Sequence, residues 1–307
     1  MTKTFQDETL FGFSNFGYWK LFDICDLIFV IFELPTKKIH SGDKTKPGPL
    51  GQDFYKGDVL DLNKAEKIED LDPEHTARLV LDMFHRIIIH YALWFNEVKH
   101  QMGMEKALDI LKKASERSYG IQMKRLSKSL GFDMKDGIPS PMLNKSKESL
   151  KELMDLVAVN WLANDGVWFQ AVEFIYGMND AKRCNDSCWA QFSPFEARAI
   201  KNFLNLSEKP GLEGLKKALN FRVYACINTQ SIIDEGSDSF VFQMNECRVQ
   251  TARKRKGLDD YPCKSGGLVE YTYFAEAVDP RIRTECIGCP PDDHPEEWFC
   301  AWRFILE

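Results

Sequence analysis

The spacing of apolar residues changes character along this chain. Between residues 72 and 206 they recur every three or four positions, the period of a helix with one buried face, whereas beyond residue 222 several stretches alternate in twos, as strands do. The first helix is sharply marked: Asp72 suits the N-cap, Pro73 the first helical position and Glu74 the dipole. Leu79, Met83, Ile87, Tyr91, Trp94 and Val98 then follow at helical spacing. A second helix is predicted from Met104 or Glu105 to Leu130, with Gly131 ending it. The segment DMKDGIPSPMLNKS reads as a linker, helix resumes at Ser149, and further helices are expected after Pro194 and over residues 211–219.

The helical half carries an internal repeat. Trp94-Phe95-x2-Val98-x4-Gly103-Met104-x2-Ala107 recurs 74 residues later as Trp168-Phe169-x2-Val172-x4-Gly177-Met178-x2-Ala181. The repeated unit is a long amphipathic helix, a Gly-Met break and a second helix, an αα-hairpin used twice, and both Trp-Phe pairs are expected to pack in cores. Asp165 and Glu173 flank Trp168, whereas Tyr91 and Lys99 hold these places in the first copy, so the second copy is expected to face a cavity.

In the C-terminal third, residues 222–231 are β-rich, residues 234–238 form a turn and residues 239–245 alternate as a strand. Residues 247–257 and 267–277 read as helices, and residues 281–287 and 298–306 as the last strands. The predicted class is α+β: a helical N-terminal half with the repeated αα-hairpin, then a four-stranded, mostly antiparallel sheet with helices on one face. Three regions follow: an irregular arm over residues 1–71, a helical hairpin over 72–135 and an α/β domain over 149–307.

With 307 residues, 44% of them hydrophobic, the chain can bury a large core without disulfide staples. Its start lacks the pattern of a secretory signal, so the nine cysteines are expected to be thiols or metal ligands in a reducing cytoplasm. The apolar run Leu21–Pro35 contains Asp23, Asp26 and Glu33 and falls short of the roughly 20 residues a membrane helix needs, so it reads as buried strand or helix. A net charge of -6 disfavours nucleic acid as partner, and the basic cluster Arg253-Lys254-Arg255-Lys256 reads as a solvated helix face. No Walker loop, dinucleotide fingerprint, nucleophile elbow or catalytic-triad order is present. Cys184 and Cys188, four apart on one helical face, read as small core residues rather than a metal or redox pair.

Phe240-x-Phe242-x-Met244-x2-Cys247-Arg248, Gly257-Leu258, Cys263, Phe274-Ala275, Asp279-Pro280-Arg281-Ile282 and Cys300-x-Trp302-x-Phe304 resemble the C-terminal half of the L-2-amino-thiazoline-4-carboxylate hydrolase-like proteins. Gly166-x-Trp168-Phe169-x2-Val172-x4-Gly177 is similar to their helical half, and the resemblance spans residues 155–307. Many members are cytosolic bacterial proteins without an assigned activity. A more distant likeness is to the 4-vinyl reductase type domain, a small-molecule-binding module of bacterial sensors of aromatic compounds. That likeness implies a 4-vinyl-reductase-like fold and a structural zinc on Cys263, Cys286, Cys289 and Cys300, with Cys286 where the sensors use glutamate. Thiolate is an equal or better zinc ligand, and a C-x2-C knuckle before Pro290-Pro291 is independently a good turn for aiming two thiolates at one ion. An iron-sulfur cluster is the alternative cofactor, and His294 the alternative to Cys300 as a ligand, although it reads better as a surface histidine.

Two functions are carried forward. The first is a zinc-stabilised module whose cavity takes a small organic ligand, with Trp168, Phe169, Phe242, Tyr271, Phe274 and Trp302 as apolar wall and Asp165 and Glu173 as polar anchors. The second, implied by the resemblance, is hydrolysis of a cyclic C-N or C-S compound. Cys247, expected at a helix N-terminus that would depress its pKa, is then the nucleophile and Arg248 the orienting cation, while a buried small apolar residue remains the blander reading of Cys247. A homodimer formed through the repeat helices is a third, structural reading; neither a nucleic-acid nor a membrane partner is expected.

Overall fold

The computed structural model describes residues 65–255, 257 and 260–307. The apolar run Leu21–Pro35 and nearly all of the predicted arm lie outside the described residues. The chain divides into two compact units, one containing residues 65–103 and 113–144 and the other residues 104–112 and 145–307.

In the first unit α1 (Pro73–Met102) starts as its sequence dictates: the Asp72 carboxylate accepts from the His75 backbone N–H at 2.8 Å, and Pro73 occupies the first turn. α2 (Met104–Leu130) follows after the single residue Gly103 and contributes to both units. The expected linker has structure of its own. Met134–Lys135 (β1) and Ile138–Pro139 (β2) pair antiparallel, with Asp136 and Gly137 in left-handed conformations at the turn, and a short helix, α3 (Ser140–Leu143), follows.

The second unit opens with α4 (Lys147–Tyr176), capped by Ser146, and α5 (Met178–Phe203). The repeat is visible in the backbone: Gly103 (φ 85, ψ 164) and Gly177 (φ 92, ψ 168) break their helices in one conformation that is essentially confined to glycine. Each break also donates its N–H back into the preceding helix, to the carbonyls of Lys99 and Glu173. The tryptophans of the Trp-Phe pairs do not sit in cores as the repeat predicted: Trp94 is 61% exposed and Trp168 64%, while Phe95 and Phe169 are half-buried. Pro194, expected to precede a new helix, lies inside α5; burial of Ser193, Glu196, Ala197 and Ile200 around it holds the helix continuous. Cys184 and Cys188 are exposed, not core.

After α6 (Gly211–Leu219) the β-rich segment starts as a 3-10 turn (Val223–Cys226) before β3 (Thr229–Asp234) pairs with β4 (Ser239–Glu246). α7 (Arg248–Lys254), α8 (Lys264–Val278), β5 (Ile282–Gly288) and β6 (Cys300–Leu306) complete the domain. The sheet runs β3-β4-β6-β5, antiparallel throughout, so the fold is α+β as predicted. Register pairs Phe240 with Phe304, Phe242 with Trp302 and Met244 with Cys300, all buried on one face beneath α6 and α8. The alternate residues Arg303 and Arg283 bind Glu235 and Glu307 on the other face.

Two junctions place the site. Gly267 lets α8 lie directly on the sheet, since a Cβ there would stand 2.6 Å from Trp302 Cζ2. At the far end of α8 the buried Asp279 carboxylate accepts from the Gly211 N–H (2.9 Å), the Arg281 N–H (3.1 Å) and the Arg281 guanidinium (2.8 and 3.0 Å), which ties α6 to the start of β5. These four donors hold its carboxyl down at about 2, the Arg281 side chain contributing most.

Candidate functional site

Thiols gather where the N-terminus of α8 meets the end of β5 and the start of β6. Cys263 is the residue before α8, Cys289 follows β5 and Cys300 begins β6. Cys263 Sγ and Cys289 Sγ lie 3.5 Å apart, and Cys289 also shares a hydrogen bond with Cys300. Cys286 pairs with Trp302 in register, so it occupies the same sheet face as Cys300, and burial raises its thiol. The hydrogen bond from Cys289 pulls the Cys263 thiol down against its burial, while its two sulfur contacts hold Cys289 protonated. Cys289 and Cys300 are buried, and Cys263 and Cys286 half-buried.

The spacing fits a tetrahedral metal edge. Four thiolates roughly 2.3 Å from zinc stand about 3.8 Å apart, close to the observed contact. As the side chains stand, no group of three or more His, Cys, Asp or Glu among the described residues is set to hold an ion. His294 is engaged elsewhere: its Nε2 meets Asp260 Oδ2 and its Nδ1 the Pro295 carbonyl, each at 2.8 Å. Contrary to its reading as a surface residue, its side chain is largely buried.

The predicted catalytic pair fares differently. Cys247 does precede α7, but burial raises its thiol to about 12, the reverse of the depression expected from the helix terminus. A helix of two turns supplies too little compensating dipole for so dry a thiol. Arg248 is exposed, and its backbone N–H donates to Asn228 Oδ1.

Most of the predicted ligand wall is core. Phe242, Tyr271, Phe274 and Trp302 are buried, and Tyr271 stacks on Trp302 with ring centroids 4.8 Å apart. Trp168 points to solvent, and Phe169 meets the edge of Tyr261 at 5.5 Å. None of these lines the surface grooves of about 370 Å³ at Ala114–Arg125 and about 470 Å³ beside Pro210, Lys216 and Leu306. Asp165 is half-buried on α4, where desolvation raises its carboxyl, and accepts a long bond of 3.4 Å from Asn185. Glu173 is half-buried further along the same helix.

Several groups that sequence reasoning overlooked are polar and deeply buried. Arg222 donates to Glu196 (2.8 Å) and Glu270 (2.6 Å), and its guanidinium lies 4.7 Å from the centre of the Phe274 ring. Trp161, Trp189, Phe192 and Tyr224 pack beside it with centroids 5.0 to 5.7 Å apart. The partners of Arg222 are 26 and 48 residues away in sequence, so no local spacing announces them.

A single family model matches residues 69–145 and again residues 141–306, which together cover most of the chain. The chain belongs to a family of unknown function (DUF6125). Each matched stretch in this DUF6125 protein holds one copy of the Trp-Phe…Gly-Met pattern, in agreement with the two Gly breaks. No curated protein and no solved structure matches the chain. Among the described residues, no helix is long and apolar enough to cross a membrane.

Proposed function

We propose that this chain is a metal-thiolate protein of the cytoplasm, in which Cys263, Cys286, Cys289 and Cys300 hold one structural zinc ion and the domain so pinned binds a small organic ligand. The observation that carries the reading is the 3.5 Å approach of Cys263 to Cys289 beside Cys300, in a site where burial disfavours free thiolates and a cation would stabilise them. The ion would cross-link the start of α8 to the two last strands; four thiolates leave it no open position, so its role is structural. Hydrolysis through Cys247 is the weaker reading, since a thiol raised to about 12 is a poor nucleophile near neutrality.

Elemental analysis of the purified protein tests this. About one equivalent of zinc is expected, falling below about a third in Cys289→Ser together with a lower melting temperature. Iron with inorganic sulfide in place of zinc would replace the ion by a cluster on the same thiols. A protein that carries neither metal after reconstitution would sink the reading.

A further inference from the structure

The apolar stripe that marks α1 in the sequence is left open in the fold. None of the helix's 30 residues is buried, and Val80, Met83, Ile87, Tyr91 and Trp94 are between 37% and 61% exposed along one face. No charged residue interrupts the stripe, and Trp94 meets His90 of its own helix with ring centroids 6.3 Å apart. The second copy of the repeat closes the corresponding face at its middle. There the counterpart of Ile87 is Trp161, packed on Trp189 and Tyr224, and the counterpart of Tyr91 is the carboxylate-bearing Asp165. In α1 both positions stay apolar and exposed.

A contiguous apolar face of this extent marks an interaction surface. Its five exposed side chains leave on the order of 500 Å² per chain, so a symmetric pair would bury about 1,000 Å² through them alone, the size at which specific interfaces begin. The order of the residues selects the occupant. The stripe Val80-x2-Met83-x3-Ile87-x3-Tyr91-x2-Trp94-x3-Val98 reads nearly alike in both directions about Ile89: Val80 mirrors Val98, Ile87 mirrors Tyr91, and Met83 falls within one position of mirroring Trp94. Such a face meets an antiparallel copy of itself in register, which is what a two-fold interface requires. Antiparallel alignment also sets opposed helix dipoles side by side. We propose that the protein is a homodimer in which α1 packs antiparallel on α1 of a second copy, with Ile87 against Tyr91 at the centre and Met83 against Trp94 on either side. This narrows the homodimer expected from the repeat to one helix and one register, and it is independent of both the metal and the ligand of the proposed function.

Sedimentation equilibrium of the full chain over about 1–100 µM tests this, with the dimer expected to predominate at the upper end. Ile87→Glu and Trp94→Glu, made separately and checked for helicity by circular dichroism, should each weaken association about 100-fold or more, because two-fold symmetry places every introduced carboxylate in the seam twice. Trp168→Glu, at the equivalent exposed place on α4, should leave association unchanged. Mild oxidation of an equimolar mixture of Val80→Cys and Val98→Cys should join residue 80 of one copy to residue 98 of the other, as identified by peptide mass. A cross-link between two residues 80 instead overturns the antiparallel register. A wild type that stays monomeric at about 100 µM overturns the dimer, and a lower melting temperature of Ile87→Glu would then mean that the chain covers this face itself. A dimer that survives both glutamates, or that Trp168→Glu dissociates, has its interface elsewhere and overturns the proposal as well.

Discussion

Arg222 shows how one side chain can commit a domain's interior. It is almost wholly buried, bound to Glu196 on α5 and Glu270 on α8, and set among the rings of Trp189, Tyr224, Tyr271 and Phe274. Removing one partner from a buried ionic cluster is far more damaging than replacing all of it, because the remaining charges lose their compensation. Arg222→Met is therefore expected to cost about 3–5 kcal/mol, read from the urea midpoint. The triple change Arg222→Met, Glu196→Gln and Glu270→Gln should recover a good part of that loss; equal destabilisation of both variants would contradict an electrostatic origin. The same residue marks the limit of sequence reading at this scale. Apolar partners on a strand reveal themselves by alternation, as Phe240, Phe242 and Phe304 did, whereas an ion pair across 48 residues leaves no periodic trace.

Elements were more legible where local chemistry decides them. The Asp72-Pro73 start of α1 and the two Gly breaks follow from side-chain capping and from a backbone conformation that other residues avoid. Two errors had tertiary causes: α5 runs through Pro194 because its flanks are buried, and the β-branched start of residues 222–231 coils into a 3-10 turn that seats Tyr224 among aromatic rings. Cys263, Cys289 and Cys300, singled out together from the sequence, do meet in the fold, whereas the rise of the Cys247 thiol was not legible, since desolvation is invisible before the chain is folded. The His294–Asp260 contact ties the β5–β6 loop to the segment leading into α8. Burial alone would lower the histidine's pKa, but the hydrogen bond to Asp260, with that to Pro295, raises it above 6.5. A folded-state pKa above the unfolded value means this stabilisation is complete below about 6.5 and fades as pH rises through the folded value. Amide exchange, corrected for its intrinsic pH dependence, should show weaker protection of the loop at pH 8 than at pH 6. His294→Gln should remove the difference.

The whole molecule is built of two units, one dominated by α1 and the other holding the sheet and the thiols. Only the second contains Cys263, Cys286, Cys289 and Cys300. Calorimetry of metal-loaded protein is accordingly expected to show two transitions, of which a chelator lowers one and leaves the other within about 1 °C. A single transition shifted as a whole would mean that the units unfold together. The repeat was legible at this scale because a helix-break-helix unit repeats its punctuation as well as its apolar pattern, while the different fates of Trp94, Trp168 and the aromatic core depend on contacts that no repeat encodes.

Between the sulfur cluster and the Asp279 knot stretches α8, a rigid strut of 15 residues, about 22 Å long. Its near end is held by Cys263 and its far end by a carboxylate with four donors, and Gly267 presses its first turn onto Trp302. A helix anchored at both ends couples the positions of those anchors, so a displacement imposed on Cys263 would be carried towards the Gly211 N–H where α6 begins.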